Sequence, residues 1–355
     1  MKPSVSASLI INGHFRQQQV TGVQRYALEL IQEFDRMDVN YRYEEPPKNI
    51  SSDTLRQLWM QLMMPLKLNQ NSLLWSPTNI GPVYHKKQVV TLHDIADQLH
   101  PHWFSSKYVN WRKFILPRLI KNVEGIITVS EYSKQTIHNK YPEACGKVKV
   151  IYNGVRTGHF YPRPVNEAEA VKQKFTLDKP FIVTVGSLDP RKNIGGLIKA
   201  WNMLPSHIRA ELDLVIAGGS ADKFQFTLEE NIDSSVRFLG YVDYGLLPAL
   251  YTASDFFVYP SLFEGFGLPV LEAMACKTPV ITSDTTSLAE IAGDSAYTVD
   301  PEKPEEIGTA IEKFYESEET RKMYVSKGYE KAKMFRWSNA AQETVNFLEN
   351  VADEN

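Results

Sequence analysis

Two carboxylates stand eight residues apart in the stretch from Ser261 to Ala275. Glu264 precedes a Gly-Phe-Gly turn, and Glu272 lies about one turn inside the helix that the following apolar run predicts. Both acids should therefore project toward one pocket. Carboxylates in such a pocket can hold the hydroxyl groups of a sugar or of a ribose.

The turn between the two acids, Gly265-Phe266-Gly267, lets a ligand approach the main chain closely because glycine lacks a Cβ. Leu268 and Pro269 follow, and a proline is tolerated at the first position of a helix, where its missing N–H would be unpaired. We therefore expect a helix to begin at Pro269. Free N–H groups at a helix N-terminus bind phosphate, so the stretch predicts a site for a sugar nucleotide.

Two adjacent cations, Arg191 and Lys192, follow the apolar run Phe181–Val185 and precede a predicted helix at Ile194–Met203. Arginine offers a planar fork and lysine a point charge, and both suit a diphosphate. A solvated pair on a surface loop is the alternative. If Lys192 balances charge that grows in the transition state, Lys192→Ala should reduce turnover and leave the fold intact.

A His-Asp pair, His93 and Asp94, ends the buried run that begins at Gln88. The carboxyl ends of strands face the ligand in sheets of this kind, although a lone histidine is often structural. Asp94 either orients the imidazole or caps the next helix. A second helix opening, Thr21-Gly22, also has the geometry of phosphate binding, although a glycine at a helix start more often belongs to an ordinary turn.

Weaker signals follow two further strands. Gly218 ends the run Leu212–Ala217 with a permissive turn, and Val242 follows the run Val236–Leu239. Both positions could present backbone to a nucleotide.

Short apolar runs alternate with amphipathic segments in both halves of the chain, which predicts parallel sheets with helices on both faces. The pattern weakens between Asn153 and Asp178, where Tyr161–Pro164 looks like a connector. We therefore predict an α/β protein with two doubly wound, Rossmann-like domains, over residues 1–165 and 175–336. A ligand at the carboxyl ends of both sheets would lie in the cleft between them.

The 355 residues are 43% apolar and 23% charged, an ordinary globular composition that is long enough for two domains. No apolar run reaches the 18 residues that suggest a membrane span, and the N-terminus is too short for a signal peptide. The two cysteines, Cys145 and Cys276, have no metal-ligand spacing around them. We expect a cytoplasmic protein.

Charge is uneven along the chain. Residues 1–165 contain 21 Lys and Arg against 12 Asp and Glu, whereas residues 166–355 contain 18 against 30. Either the two domains simply differ in charge, or the first half faces an anionic partner such as a membrane surface. The basic residues of one amphipathic segment fit the second interpretation, or a merely solvated face: Lys107, Arg112, Lys113, Arg118 and Lys121. The apolar, Met-rich run Leu55–Leu66 is either a core helix or a lipid contact.

The Glu-x7-Glu pattern of Glu264 and Glu272 resembles the signature of the family 4 retaining glycosyltransferases. The Thr-Gly-x-x-Arg-Tyr opening at Thr21 and the Gly-x-Leu-x-Pro-Arg-Lys-Asn run from Gly186 also resemble this family. The resemblance is strong over residues 181–300 and moderate over residues 1–155. It implies the GT-B fold, with a C-terminal helix over residues 337–355 that crosses back to the first domain.

The resemblance also implies roles for single residues. Glu264 would bind sugar hydroxyls, Glu272 the ribose, and His93 the transferred sugar, while the backbone of Gly22 would face the donor phosphate. Much of the family has an arginine where this chain has Ser187, so Lys192 is the safer cation to carry over and Arg191 is its plausible companion. The predicted set has two parts: catalytic His93, Arg191, Lys192 and Glu264, and donor-binding Gly22, Gly218, Val242, Gly265, Phe266, Gly267, Leu268 and Glu272.

The implied activity is transfer of a hexose from a nucleotide sugar to a lipid-linked or oligosaccharide acceptor in bacterial surface polysaccharide assembly. GDP-mannose is our choice of donor, from the likeness to bacterial mannosyltransferases; UDP- and dTDP-sugars stay open. No Asp-x-Asp occurs in the sequence, which argues against the metal-dependent GT-A class. We expect no metal, no other cofactor and no nucleic acid partner.

The family retains anomeric configuration, and a front-face mechanism without a carboxylate nucleophile is favoured for it. The protein would work in the cytoplasm, either free or peripheral at the inner face of the plasma membrane. Two alternatives remain from the sequence: a GT-B sugar-nucleotide epimerase, and a non-catalytic subunit that binds sugar nucleotides.

Overall fold

The computed structural model describes residues 8–50, 52–69, 72–219 and 232–353. These fall into two compact units. The first combines the chain up to residue 99 with residues 106–154 and 336–355, and the second combines residues 100–105 with 155–335. The chain therefore passes between the units four times.

The first unit is built on a parallel sheet of six strands in the order β2-β1-β3-β4-β5-β6. Its strands are β1 (Ser8–Asn12), β2 (Tyr41–Glu44), β3 (Ser72–Ser76), β4 (Gln88–Thr91), β5 (Gly125–Thr128) and β6 (Val148–Val150). Its α-helices are α1 (Gly22–Arg36), α2 (Asp53–Leu62), α3 (Met64–Lys67), α4 (Ala96–Leu99), α5 (Ser106–Asn122), α6 (Glu131–Lys140) and the C-terminal α15 (Trp337–Asp353).

The second unit has a parallel sheet in the order β12-β11-β10-β7-β8-β9. Its strands are β7 (Phe181–Val185), β8 (Asp213–Ala217), β9 (Val236–Gly240), β10 (Phe256–Tyr259), β11 (Val280–Ser283) and β12 (Tyr297–Val299). Its α-helices are α7 (Val165–Phe175), α8 (Ile194–Met203), α9 (Ser206–Glu211), α10 (Leu247–Ala253), α11 (Leu268–Ala275), α12 (Thr286–Ala292), α13 (Pro304–Glu316) and α14 (Glu318–Met334).

Each strand order reverses at one place, and this place matters for binding. In the second sheet the reversal lies between β7 and β10, and in the first it lies between β1 and β3. Ligands of doubly wound sheets bind beyond the carboxyl ends of the strands at such a switch point. The predicted α/β class with two doubly wound sheets is confirmed.

The hydrophobic cores explain why the strands are so apolar. The second sheet packs against α8 and α13 through buried residues that include Ile182, Leu197, Trp201, Ile281 and Phe314. Strands covered on both faces read as continuous apolar runs, and the run Phe181–Val185, which forms β7, is one of these.

Two details differ from the sequence predictions. Helix α11 begins at Leu268, so Pro269 is its second residue and not its first; the first turn tolerates proline at either place because its N–H groups have no partner within the helix. Helix α7 (Val165–Phe175) lies where no regular element was predicted. Only Val171 is buried in that helix, so it has no apolar periodicity to detect.

Candidate active site

The switch point of the second unit carries most of the predicted residues. Arg191 and Lys192 lie in a 3-10 turn (Pro190–Lys192) after β7, and Glu264 lies in the loop after β10. Because β7 and β10 are neighbours in the sheet, their carboxyl ends place the two loops side by side. A backbone hydrogen bond from the Leu262 N–H to the Arg191 carbonyl, 2.7 Å long, joins them.

A buried hydrogen-bonded group joins Lys192, Tyr259 and Glu264. The Lys192 ammonium donates to the Tyr259 hydroxyl at 2.7 Å and forms an ion pair with Glu264 Oε1. The Tyr259 hydroxyl in turn donates to the same Glu264 oxygen at 2.8 Å. The side chains of Lys192 and Glu264 are only 15% and 12% exposed, so the pair is largely shielded from solvent.

Charge fixes the protonation state of Glu264. Burial acts to raise the pKa of this carboxyl group, but the neighbouring positive charges of Lys192 and Arg191, with hydrogen bonds from Lys192 and Tyr259, outweigh burial and hold its pKa below the usual value. Glu264 is therefore a carboxylate at neutral pH, and it can accept hydrogen bonds from sugar hydroxyls.

Arg191 is held by an acid of its own. Asp189, which is fully buried, accepts the Arg191 backbone N–H at 3.0 Å and the Nε–H at 2.7 Å. The guanidinium side chain remains 20% exposed and lies 5.5 Å from the Phe104 ring centroid. A buried carboxylate that grips both backbone and side chain leaves Arg191 few orientations.

The N-terminus of α11 faces the same loop. Gly267 precedes the helix with a φ of +100°, and a Cβ there would come within 2.4 Å of Leu288 Cδ2. Both facts require glycine at this position. Among the described residues no side chain caps the helix, and its first N–H groups suit an anion. Phe266 is buried, with its ring 5.9 Å from that of Phe335, and Gly265 is buried beside it.

Glu272 lies on the fifth residue of α11, one turn in, as predicted. Its Oε2 accepts a hydrogen bond from the Tyr251 hydroxyl at 3.3 Å, and Tyr251 is fully buried. The tyrosine thus orients a half-buried carboxylate, which has the chemistry to hold a ribose diol.

Close packing of the backbone explains why residue 218 is a glycine. A Cβ at Gly218 would lie 1.6 Å from the carbonyl oxygen of Gly186, so the close approach of two backbone segments excludes every other residue. The side chain of Val242, after β9, is buried. Any contact that these two residues make with a ligand would come from their backbone.

The remaining two predicted residues lie in the first unit. His93 is buried at the end of β4; its Nε2–H donates to the Pro77 carbonyl at 3.0 Å, and the Tyr26 ring packs edge-on at 4.6 Å. Burial lowers its pKa, despite opposing effects of Pro77 and Asp94, so His93 is neutral. Gly22 begins α1, with no atom near the place where a Cβ would stand.

Asp94 takes the capping role that was one of its two predicted options. Its Oδ1 accepts the backbone N–H of Ala96 at 2.9 Å, at the start of α4.

The interpretation of the segment from Lys107 to Lys121 as an exposed basic face is wrong for one residue. Arg112 is buried, because its Nε donates to Asp97 at 3.2 Å and its NH1 donates to the Asn79 carbonyl at 2.7 Å. It therefore belongs to the interior of the first unit and cannot contact a membrane. The other four cations of that segment, Lys107, Lys113, Arg118 and Lys121, are exposed.

Sequence reasoning missed Tyr259 and Asp189. Both lie at or just beyond the carboxyl end of a strand, which was the available signal, but each looked like part of an ordinary strand or turn. Ser283 and Ser287 were also missed as supports of the Glu264 loop. Their hydroxyl groups donate to the carbonyls of Ser261 and Glu264, at 2.7 and 2.9 Å.

Two features are absent from the described ranges. No helix there is long and apolar enough to cross a membrane. Within the same ranges, no group of three or more His, Cys, Asp or Glu side chains is arranged to hold a metal ion.

Comparisons with known proteins match this picture. A family model described as glycosyl transferases group 1 matches residues 165–331, and one described as glycosyltransferase family 4 matches residues 69–159. The chain is 32% identical to the O-antigen chain mannosyltransferase B of Escherichia coli over 296 residues, which is 82% of this chain and 76% of that protein. It is 29% identical to the O-antigen chain mannosyltransferase RfbU of Salmonella typhimurium, over 71% of this chain and 67% of that protein.

Solved structures share the fold. The sucrose-phosphate synthase of Thermosynechococcus elongatus superposes with a TM-score of 0.74 at 19% identity, covering 98% of this chain and 99% of the other. HepE of Anabaena, in complex with UDP and glucose, superposes with a TM-score of 0.71 at 17% identity, covering 96% and 98%.

Proposed function

Since the chain belongs to glycosyltransferase family 4 and has its GT-B fold, we propose that it transfers mannose, with retention of configuration, from GDP-mannose to a lipid-linked or oligosaccharide acceptor of bacterial surface polysaccharide. That the protein is a glycosyltransferase follows from the family. The choice of mannose rests on one observation, the similarity over 82% of the chain to an O-antigen chain mannosyltransferase. The choice of GDP as the donor nucleotide is carried over from the sequence analysis.

The switch-point residues of the second unit would bind the donor. The N-terminus of α11, from Gly267, would hold the diphosphate together with Lys192 and Arg191, because fixed N–H groups and cations both stabilise phosphate charge. Glu264 would bind hydroxyls of the transferred sugar, and Glu272 would bind the ribose.

The other predicted donor contacts would be made by the backbone or by residues of the first unit. The backbones of Gly218, Val242, Gly265, Phe266 and Leu268 would line the nucleotide, Gly22 would meet the phosphate, and His93 would meet the sugar.

In the proposed reaction the bond between the anomeric carbon and the β-phosphate oxygen breaks. The acceptor hydroxyl oxygen bonds to the same face of that carbon, and its proton passes to the departing phosphate oxygen. Lys192, Arg191 and the helix N-terminus would stabilise the charge that grows on this phosphate. Fixed donors of this kind are the largest usual catalytic contribution, roughly 3–4 kcal/mol for one donor.

Glu264 is not proposed as a nucleophile. One of its oxygens already accepts hydrogen bonds from Lys192 and Tyr259, which ties up lone pairs and lowers the basicity of the carboxylate. This supports a front-face route, with Glu264 as a binding residue.

We also propose that the first unit contacts an anionic membrane surface. Exposed cations and an aromatic side chain lie along α5: Lys107, Lys113, Arg118, Lys121 and Phe114. Apolar residues of the α2–α3 segment are exposed as well, at a spacing close to that of helix turns: Leu55, Leu58, Leu62 and Leu66. Exposed cations and exposed apolar side chains on one unit fit the headgroup region of a bilayer.

A screen of nucleotide sugars tests the proposal. GDP-mannose should raise the Tm more than UDP-glucose or dTDP-glucose, since a ligand at 100 times its Kd adds about 2.7 kcal/mol. Transfer of labelled mannose to a lipid-linked glycan should continue in EDTA and give the α-anomer. Product formed from the donor alone would instead indicate an epimerase, and β-linked product or strict dependence on Mg²⁺ would refute the mechanism.

A further inference from the structure

A short aromatic segment from the first half of the sequence packs against the loop that carries Glu264. Residues 100–105 (His-Pro-His-Trp-Phe-Ser) stand between two stretches of the first unit, yet they pack with the second. We call these six residues the aromatic strap. Its central residues, Pro101–Trp103, form a 3-10 turn.

The strap covers the residue next to Glu264. The His100 and Trp103 rings approach the Phe263 ring edge-on, with centroids 5.5 and 6.4 Å away. Phe263 is buried beneath them. On the other side the Phe104 ring meets Arg191. The strap therefore touches both loops that carry the candidate catalytic charges.

Two rings of the aromatic strap, those of His100 and Trp103, are stacked on each other. The His100 and Trp103 rings lie 4.2 Å apart at an angle of 22°. Both residues are half-buried, and His102, with its ring 5.3 Å from that of Trp103, is exposed. Burial, and after it the neighbouring His102, lower the pKa of His100, so the stacked imidazole is uncharged at neutral pH. An uncharged aromatic pair left partly open to solvent has the character of a binding surface.

From these contacts we infer that the stacked His100 and Trp103 rings form a subsite for a pyranose ring of the acceptor glycan. The negative face of an aromatic ring attracts the weakly positive C–H groups on one face of a pyranose, as it attracts the edge of another ring. Phe263 is one residue from Glu264, and consecutive Cα atoms are about 3.8 Å apart. A sugar on this surface would therefore lie close to the loop that would hold the transferred sugar.

The inference deepens the proposed function and rests on it, because the subsite serves an acceptor only if Glu264 holds the donor sugar. A direct binding experiment distinguishes failure of the subsite from failure of the proposed function. Methyl α-mannopyranoside is titrated into the ¹⁵N-labelled full chain with GDP present, and the tryptophan indole N–H signals are followed. Trp103→Phe assigns the Trp103 signal, and buried Trp201 is the internal control.

We expect the Trp103 signal to shift with sugar and the Trp201 signal to stay. By ligand-observed NMR, Trp103→Ala and His100→Ala should each weaken binding of the sugar about three- to tenfold, and Trp103→Phe should weaken it less. Tyr84→Ala, which removes an aromatic side chain that is 78% exposed, is the matched control.

The Tm shift caused by GDP-mannose should be the same in these variants and in the wild type. An unmoved Trp103 signal at saturating sugar would overturn the subsite, as would an equal loss of donor and sugar binding in the Trp103→Phe variant, because the strap would then only support the Glu264 loop. Failure of every nucleotide sugar to shift the wild-type Tm would refute the proposed function, whatever the Trp103 signal does.

Discussion

Removing Lys192 should both destabilise the protein and strongly reduce turnover, and the two effects can be separated. From the sequence we expected Lys192→Ala to leave the fold intact. The buried ion pair with Glu264 revises that expectation, because loss of the ammonium removes the ion-pair partner of a largely buried carboxylate and leaves it the hydrogen bond from the Tyr259 hydroxyl.

The size of the effect follows from burial. Breaking a fully buried ion pair by removing one partner costs roughly 3–5 kcal/mol. Because 15% of Lys192 and 12% of Glu264 stay exposed, and Tyr259 still donates to the carboxylate, we expect about 2–3 kcal/mol for Lys192→Met. In a unit of this size each kcal/mol shifts Tm by about 2–4 °C, so the donor-free protein should melt about 5–10 °C lower.

A double substitution separates stability from catalysis. Replacing a buried ion pair by uncharged residues is often nearly neutral, so Lys192→Met with Glu264→Gln should recover most of the lost Tm. Activity should not recover, since the cation that would face the leaving phosphate is still absent; we expect a loss of about 100- to 1,000-fold in kcat in both variants.

Circular dichroism melts of the four proteins in the double-mutant cycle, with matched kcat measurements, decide the outcome. Lys303→Met is the control, because it breaks exposed ion pairs with Asp300 and Glu306 and should leave Tm and kcat unchanged. The reasoning is refuted if Lys192→Met melts like the wild type, or if the two substitutions lower Tm additively.

Three further predictions address other sites. Glu272→Ala should weaken donor binding by about 1–3 kcal/mol, the usual cost of lost charged hydrogen bonds; unchanged affinity in calorimetry would remove Glu272 from the site. Replacing Lys113 and Arg118 with Gln should weaken flotation with anionic liposomes at low salt, by about 1 kcal/mol for each cation, and leave donor binding unchanged; a wild type that fails to float would point to a soluble glycan acceptor. Burial, partly opposed by Asp53, lowers the pKa of His14 to about 4 from an ordinary 6.5, so stability present above pH 6.5 should be lost as pH falls toward 4, by about 3 kcal/mol in total. His14→Gln should not show this part of the acid loss in melts between pH 7.5 and 4.5, and parallel curves for both proteins would contradict the assignment.

The sequence predicted what depends on local pattern. The strands β7 and β10 were recognisable as short apolar runs, and the charged residues after them, Arg191 and Glu264, could be assigned to the carboxyl end of a sheet. The order in which strands pair is not written in any local pattern, so the adjacency of these two loops came only from the resemblance to a family.

The failures have physical causes. Arg112 lies on a segment with other cations, and its burial depends on Asp97 and on the Asn79 carbonyl, which are 15 and 33 residues away in the sequence. Spacing along a helix carries no information about such partners. Tyr259 was missed for a similar reason. A tyrosine at the end of an apolar strand looks like a core residue, and only the structure shows that its hydroxyl group lies 2.7 Å from the Lys192 ammonium.

If the switch point binds a diphosphate, as proposed, its two cations pose an electrostatic problem, and the structure provides a solution. Two cations close together repel each other without a ligand, and burial would add a desolvation cost. Here each cation has its own acid, Glu264 for Lys192 and Asp189 for Arg191, so the cluster is neutral before the donor binds. The acids also fix the direction of each cation, which means that little reorganisation is needed when phosphate charge develops. Glu264 would also bind the transferred sugar. The Lys192–Glu264 ion pair would therefore contact both the sugar that is released and the phosphate whose charge is neutralised.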